Sequence, residues 1–296
     1  MKATTQSSSK VNALQTSWWT DDPAAREKLH REPFLIHHTL AHLPLFEIPQ
    51  LIQVAREAVS RPGDVYYDSG DPTLADKWGK IPIPEIPVDE VIERIETAKA
   101  WIIVKHAEKD PHYGAVLDEC TDFVRGVAGA EGAKSILNPE MLIIVSSPNR
   151  ITPFHFDAEI NFLVQVRGSK QVWICDPDDR SVVSERDIEE YYMGNITAGQ
   201  FRPEFTKKAR HIELKPGQAV HIPTHAAHWV QNNDEISVSL SLNFEFPHWR
   251  KDLYRANYHL RKLGLQPQSP GKSTLEDAFK YAPLWGLQAA RKLLKL

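Results

Sequence analysis

From residue 151 to residue 244 the chain is a succession of short apolar runs separated by turn signals. That rhythm commits this stretch to β-structure. Asn161-Phe-Leu-Val-Gln-Val166 is strand-like, Arg167-Gly-Ser169 reads as a hairpin turn, and Lys170-Gln-Val-Trp-Ile-Cys175 reads as the returning strand, ended by Asp176-Pro-Asp178. Pro216-Gly217 is a turn before the short strand Gln218–Ile222, and Pro223 to Ala227 is a bend. His228-Trp-Val230 resumes extended structure, and after the turn at Asn232-Asn-Asp234 the run Ile236–Phe244 alternates apolar and polar residues with period two. Two hairpin units of this kind suggest a small β-barrel.

Each unit carries a piece of a metal site. His155 and Asp157 are two residues apart, so on a strand their side chains would leave the same face. One histidine from a distant strand then completes a facial set of two imidazoles and one carboxylate. That set suits non-haem Fe(II), because it leaves positions open for an organic co-substrate and O₂. Spacing alone is weak, since His30–Glu32, His106–Glu108 and His211–Glu213 show it too. Context separates His155–Asp157: Thr152-Pro153 introduces an apolar run that continues through Asn161.

The ordered pattern Thr152-Pro-x-His155-x-Asp157, Asn161, Gly168-x-Lys170, Gly217-x-Ala-Val-x-Ile-Pro, His228 and Asn243 resembles the JmjC and cupin-like 2-oxoglutarate oxygenases. It is most similar to the branch containing the asparaginyl hydroxylase that acts on hypoxia-inducible factor. The resemblance covers roughly residues 140–246. It implies a mainly β fold, a double-stranded β-helix or jelly-roll with flanking and C-terminal helices. It also implies Fe(II) held by His155, Asp157 and His228, and 2-oxoglutarate paired through its distal carboxylate with Lys170. Thr152, Asn161 and Asn243 would add hydrogen bonds around the co-substrate and metal.

Elementary chemistry is compatible with those assignments. A dicarboxylate that chelates iron through its keto-acid end needs a cation for its far end inside a dry barrel. Lys170 follows the 167–169 turn and can aim an ammonium back across the His155 strand; Arg167 is the competitor for that role. An exposed hairpin lysine is the commoner fate of such a residue, and Thr152, Asn161 and Asn243 could equally be turn or strand-register polar residues. The family spacing selects His228 over His225, and His221 is expected to be a packed or hydrogen-bonded histidine. Where many relatives carry bulky aromatics before the last ligand, this chain has Ala226 and Ala227. The pocket is then either wider or filled by side chains from elsewhere.

At 296 residues the chain can bury one large core. The expected organisation is a polar, partly disordered segment over 1–30, an oxygenase domain over 31–249, and a helical extension over 250–296. Trp18-Trp19 is expected to tether the N-terminal segment to the core. Helices are expected at Leu51–Val59, Val88–Lys99 and Pro111–Val127, with Pro82–Pro87 a linker, a strand within Asp64–Gly70 near the site's mouth, and a buried strand at Trp101–Val104. Trp101, Lys105 and His106 are candidates for a further co-substrate contact. Asp176–Arg202 reads as an insertion, either one wall of the substrate entrance or a solvated loop with a short helix. A net charge of −4 argues against a broadly basic nucleic-acid-binding surface, and no apolar run is long enough for a membrane span. Two cysteines and no signal-like N-terminus fit a cytoplasmic protein.

The expected activity is hydroxylation of a C–H bond, driven by O₂ and 2-oxoglutarate, with succinate and CO₂ as co-products. The favoured substrate is a peptide or protein side chain, with a small metabolite as the alternative. A non-catalytic cupin-like binding or regulatory module is the reading from a different class. The apolar tail around Leu284–Leu287 and Leu293–Leu296 suggests a homodimer through C-terminal helices, with membrane contact the weaker reading.

Overall fold

The computed structural model describes residues 18–20, 24–77, 79–245 and 249–280. Eleven strands form its core: β1 (Leu35–His37), β2 (Val65–Ser69), β3 (Ala100–Val104), β4 (Leu137–Ser146), β5 (Ile151–His155), β6 (Ile160–Arg167), β7 (Lys170–Ile174), β8 (Arg210–Leu214), β9 (Gln218–Ile222), β10 (His228–Asn232) and β11 (Ser237–Glu245). They make two facing antiparallel sheets, one of seven strands ordered β1-β9-β6-β11-β4-β3-β2 and one of four ordered β5-β10-β7-β8. The helices are α1 (Ala25–Lys28), α2 (Ile48–Val59), α3 (Val88–Glu93), α4 (Pro111–Ala133), α5 (Glu185–Tyr192) and α6 (Trp249–Lys262). This is the jelly-roll with flanking helices that the strand rhythm and the motif led us to expect.

The turns do not make hairpins. β6 and β7 lie in different sheets, as do β8 and β9, β9 and β10, and β10 and β11. The 167–169 turn therefore carries the chain from one sheet to the other rather than back along a shared ladder. Its Gly168 has φ 67° and packs so close to the Ile236 carbonyl that a β-carbon would collide. The physical reason for the crossing is two-sided burial. Every β6 residue from Ile160 to Val166 is buried, so neither face of that strand is available to solvent.

Period two survives, with an unexpected sense. On β11 the apolar Val238, Leu240, Leu242 and Phe244 face outward, into a core shared with α2, α3 and α4. The intervening Ser237, Ser239 and Ser241 are also buried, on the face that looks toward the small sheet. A second apolar cluster lies between the sheets, with Leu163, Val172, Ile174, Val220, Ile222 and Val230. A third covers the outer face of the small sheet, where Phe154, Phe156 and Trp229 meet Val182, Val183 and Ile188 of the 176–202 insertion.

That insertion is consequently a packed cover. Its helix α5 opens with a reciprocal cap, Asp187 N–H donating to Ser184 Oγ at 3.1 Å and Ser184 N–H to Asp187 Oδ2 at 2.9 Å. On the other face of α5, both carboxylate oxygens of buried Glu189 accept from Arg261 Nε of α6, at 2.8 and 2.9 Å.

Other elements depart in extent. The helix expected over 88–99 ends at Glu93, and the one from Pro111 runs on to Ala133, with a kink at Gly129. Residues 25–29, expected to be partly disordered, include α1, with Ala25 and Leu29 in the main core. Trp19 stacks on Phe123 at 5.0 Å. The 284–296 tail expected to mediate dimerisation lies outside the described residues. Among the described residues no helix is long and apolar enough to cross a membrane.

Candidate metal and co-substrate site

His155 ends β5 and His228 begins β10, and the two are register partners across the small sheet. Their rings lie 4.1 Å apart, centre to centre. Asp157 comes two residues after β5 has ended, so its position is set by the loop into β6 and not by strand alternation. The loop brings Asp157 Oδ2 to 3.9 Å from His155 Nε2 and 3.7 Å from His228 Nε2. One ligand atom from each residue falls within 4.8 Å of the others.

Both imidazoles are oriented from behind. His155 Nδ1 bonds the Pro153 carbonyl at 2.8 Å and His228 Nδ1 bonds the Ala226 carbonyl at 3.0 Å. A carbonyl can only accept, so each Nδ1 carries a proton and each Nε2 is the ring nitrogen left facing the centre. Burial and the neighbouring His155 lower the His228 pKa to about 4, which keeps this ring in the neutral, ligating form at pH 7. Glu159, two residues beyond Asp157 in the sequence, is pushed up to about 7 by burial and by the Asp157 charge. Two imidazole nitrogens and one carboxylate are a donor set that fits a divalent cation.

The triad lines one part of a cavity between the sheets, together with Thr152, Asn161 and Lys170. Lys170 is 3% exposed, and its Nζ donates to Ser239 Oγ at 2.6 Å. Ser239 Oγ in turn donates to Gln165 Oε1 at 2.8 Å. Among the described residues no carboxylate pairs with Lys170, and burial alone lowers its pKa from 10.5 to about 7. Asn161 Nδ2 donates to Ser241 Oγ at 2.5 Å and to Asn243 Oδ1 at 2.7 Å. Asn161 and Ser241 reach the cavity, with Asn243 holding the Asn161 amide in place.

Other candidates go elsewhere. Arg167 is exposed. His225 Nε2 shares a hydrogen bond with the Tyr192 hydroxyl at 3.0 Å, and His221 is buried between Phe34 and Phe162, with its Nε2 accepting from His30 N–H at 3.2 Å. Of the three candidates near β3, Trp101 lines the cavity, whereas His106 bonds Asp64 at 2.8 Å. Lys105 donates its backbone N–H to the Asp64 carbonyl at 2.7 Å. Ala226 and Ala227 are both fully buried, in the inter-sheet and outer clusters respectively, so packed side chains fill the volume that larger residues would take. Sequence reasoning missed Gln165, Ser239 and Ser241. The available signal was the Ser-x-Ser-x-Ser alternation over 237–241.

Residues 127–248 match the model of the cupin-like domain. Over that stretch the chain is similar to cupin-like domains. HSPB1-associated protein 1 of Rattus norvegicus is 30% identical over 159 residues, covering 50% of this chain and 32% of that protein. Jumonji C domain-containing protein 5 of Drosophila melanogaster is 23% identical over 237 residues, covering 72% of this chain and 54% of that protein. The chain thus spans between about a third and about half of these curated relatives. Among solved structures, Escherichia coli ycfD superposes with a TM-score of 0.56 at 15% identity, over 91% of this chain and 68% of that one. Another structure of YcfD, described there as a ribosomal oxygenase, gives 0.50 at 13% identity, over 90% of this chain and 65% of that one.

Proposed function

We propose that this chain is an Fe(II)- and 2-oxoglutarate-dependent oxygenase that hydroxylates a protein side chain. The carrying observation is one cavity with two unlike ends. One end has two Nε2 nitrogens and a carboxylate converging, and the other has a buried ammonium without a carboxylate partner among the described residues. A metal-chelated dicarboxylate satisfies both.

When bound, ferrous iron and 2-oxoglutarate supply the oxidising power: the keto acid yields succinate and CO₂, one atom of O₂ enters succinate and the other enters the substrate C–H bond. The protein's share is placement. His155, Asp157 and His228 would hold the metal. Lys170 would hold the far carboxylate, with Ser239 and Gln165 fixing the ammonium from behind. Trp101 and Leu163 supply apolar wall that limits water in the cavity.

A protein substrate is supported by the description of the Escherichia coli structure as a ribosomal oxygenase. The narrower relation to asparaginyl hydroxylases rests on the motif spacing alone. The first test is to admit O₂ to anaerobic protein with Fe(II) and 2-oxoglutarate and to measure succinate against a His155→Ala control. Succinate from the intact protein alone supports the oxygenase reading. No turnover together with no 2-oxoglutarate binding in calorimetry overturns it in favour of a binding module. Peptide and metabolite panels, read by a mass gain of one oxygen, then decide the substrate class.

A further inference from the structure

The bend between β9 and β10 holds a histidine for which the chemistry above has no use. His225 is buried and sits in the left-handed backbone region at φ 63°. That conformation is unfavourable for a non-glycine residue and persists only where the surroundings enforce it. Glycine would adopt it freely, so the side chain has a reason to be there.

Its contacts point in two directions. The His225 backbone N–H donates to the Asp157 carbonyl at 2.8 Å, joining this bend to the loop that carries the acidic ligand. The ring shares a hydrogen bond with the Tyr192 hydroxyl at 3.0 Å and meets Tyr254 nearly edge-on at 5.5 Å. Tyr192, at the end of α5, stacks on Tyr254 at 5.4 Å, and its carbonyl accepts from Arg255 Nε at 3.0 Å. Contacts therefore run without a break from α6 through α5 to His225 and on to Asp157.

Asp157 needs such support. His155 and His228 are fixed as register partners on paired strands, whereas Asp157 lies beyond the ladder with a partly exposed side chain. We propose that His225 is a positioning residue for the Asp157 carboxylate, and that through Tyr192 it makes the metal geometry depend on the α5–α6 cover. This rests on the metal-centre reading of the triad.

The test titrates cobalt(II) into the metal-free protein, following visible absorption for affinity and coordination geometry and a melting curve for folding. Tyr192→Phe removes only the hydroxyl, and His225→Gly removes the ring while relieving the backbone strain. Arg186→Ala, on the exposed side of α5, is the control. The expected result is cobalt affinity reduced about tenfold by His225→Gly and severalfold by Tyr192→Phe, with an altered spectrum in both, and no change with the control. Wild-type affinity and spectrum in Tyr192→Phe would overturn the proposal, and that variant decides alone if His225→Gly does not fold. A wild-type protein that takes up no cobalt would instead refute the metal reading, and the proposal with it.

Discussion

Replacing Lys170 with methionine should move two measurable quantities in opposite senses. In the free protein the ammonium is buried with the Ser239 hydroxyl as its hydrogen-bond partner, and its pKa falls from 10.5 to about 7. A depression of that size is worth on the order of 5 kcal/mol against folding at pH values below 7. Between pH 7 and 10.5 the unfolded chain keeps a proton that the folded chain releases, so stability rises with pH across that window. Lys170→Met removes the penalty at similar volume. The variant should therefore be more stable at about pH 6 by a few kcal/mol, with the difference shrinking toward about pH 10.

Binding should respond in the opposite way. A carboxylate opposite the ammonium restores its charge, and deleting one member of a buried, hydrogen-bonded charge pair costs about 2–5 kcal/mol. The affinity for 2-oxoglutarate should fall at least about 30-fold in the variant. In the wild type, binding above about pH 7 should take up a proton, and affinity should weaken as pH rises through that point. Urea unfolding at about pH 6 and about pH 10, with calorimetry in buffers of different ionisation enthalpy, reads all of this. A Lys170→Met variant that is less stable than the wild type at the lower pH, and that binds 2-oxoglutarate as the wild type does, would refute the reasoning.

Three further perturbations test the frame around the site. Asp157→Ala should weaken Fe(II) or Co(II) binding by more than about 100-fold while leaving the melting temperature of the metal-free protein close to wild type, as a titration with parallel calorimetry would show. Asp68→Ala leaves Arg150 as an uncompensated buried cation, since the two form an ion pair with both side chains almost fully inaccessible. It should cost about 3–5 kcal/mol in chemical unfolding, and an unchanged midpoint would contradict the burial argument. Gly168→Ala forces a side chain into positive φ and against the Ile236 carbonyl, and should lower stability by more than about 2 kcal/mol without altering the metal ligands themselves, as urea unfolding and a cobalt titration would show.

Much of this architecture was legible because period and punctuation are local. The strands at 160–167, 170–174 and 218–222 fall where apolar runs meet turn residues. Their pairing was not legible. Arg167-Gly-Ser169 has the chemistry of a hairpin turn, yet β6 and β7 part into separate sheets because both faces of β6 must be covered. Nothing in the residues flanking that turn encodes what lies on the far face of the strand. For the same reason the alternation over 237–244 tells only that two faces differ. Helices α2, α3 and α4 take the apolar face, which puts Ser239 and Ser241 inside. His155 and Asp157 were paired by an argument about strand faces, and they do converge, although by a loop. The spacing was informative and the reason attached to it was incorrect.

The distribution of polar partners bears on what the cavity selects. On the seven-stranded side, Asn161 is bonded to Ser241 and Asn243, and Gln165 to Ser237 and Ser239. These groups complete one another without any ligand, so an incoming molecule gains little by displacing them. On the four-stranded side the imbalance is confined to charge. Asp157 places a carboxylate at one end, and Lys170 holds a buried cation at the other. A neutral ligand relieves neither. A cation alone relieves the first, and a dianion without a metal would relieve the second while meeting the carboxylate of the first. Only a cation and a dianion bound together correct both ends, which predicts coupled binding. 2-Oxoglutarate should bind at least about tenfold more tightly with Co(II) present than without it, in a calorimetric titration of metal-free and metal-loaded protein. Equal affinities in the two states would mean that the two ends of the cavity do not share one ligand.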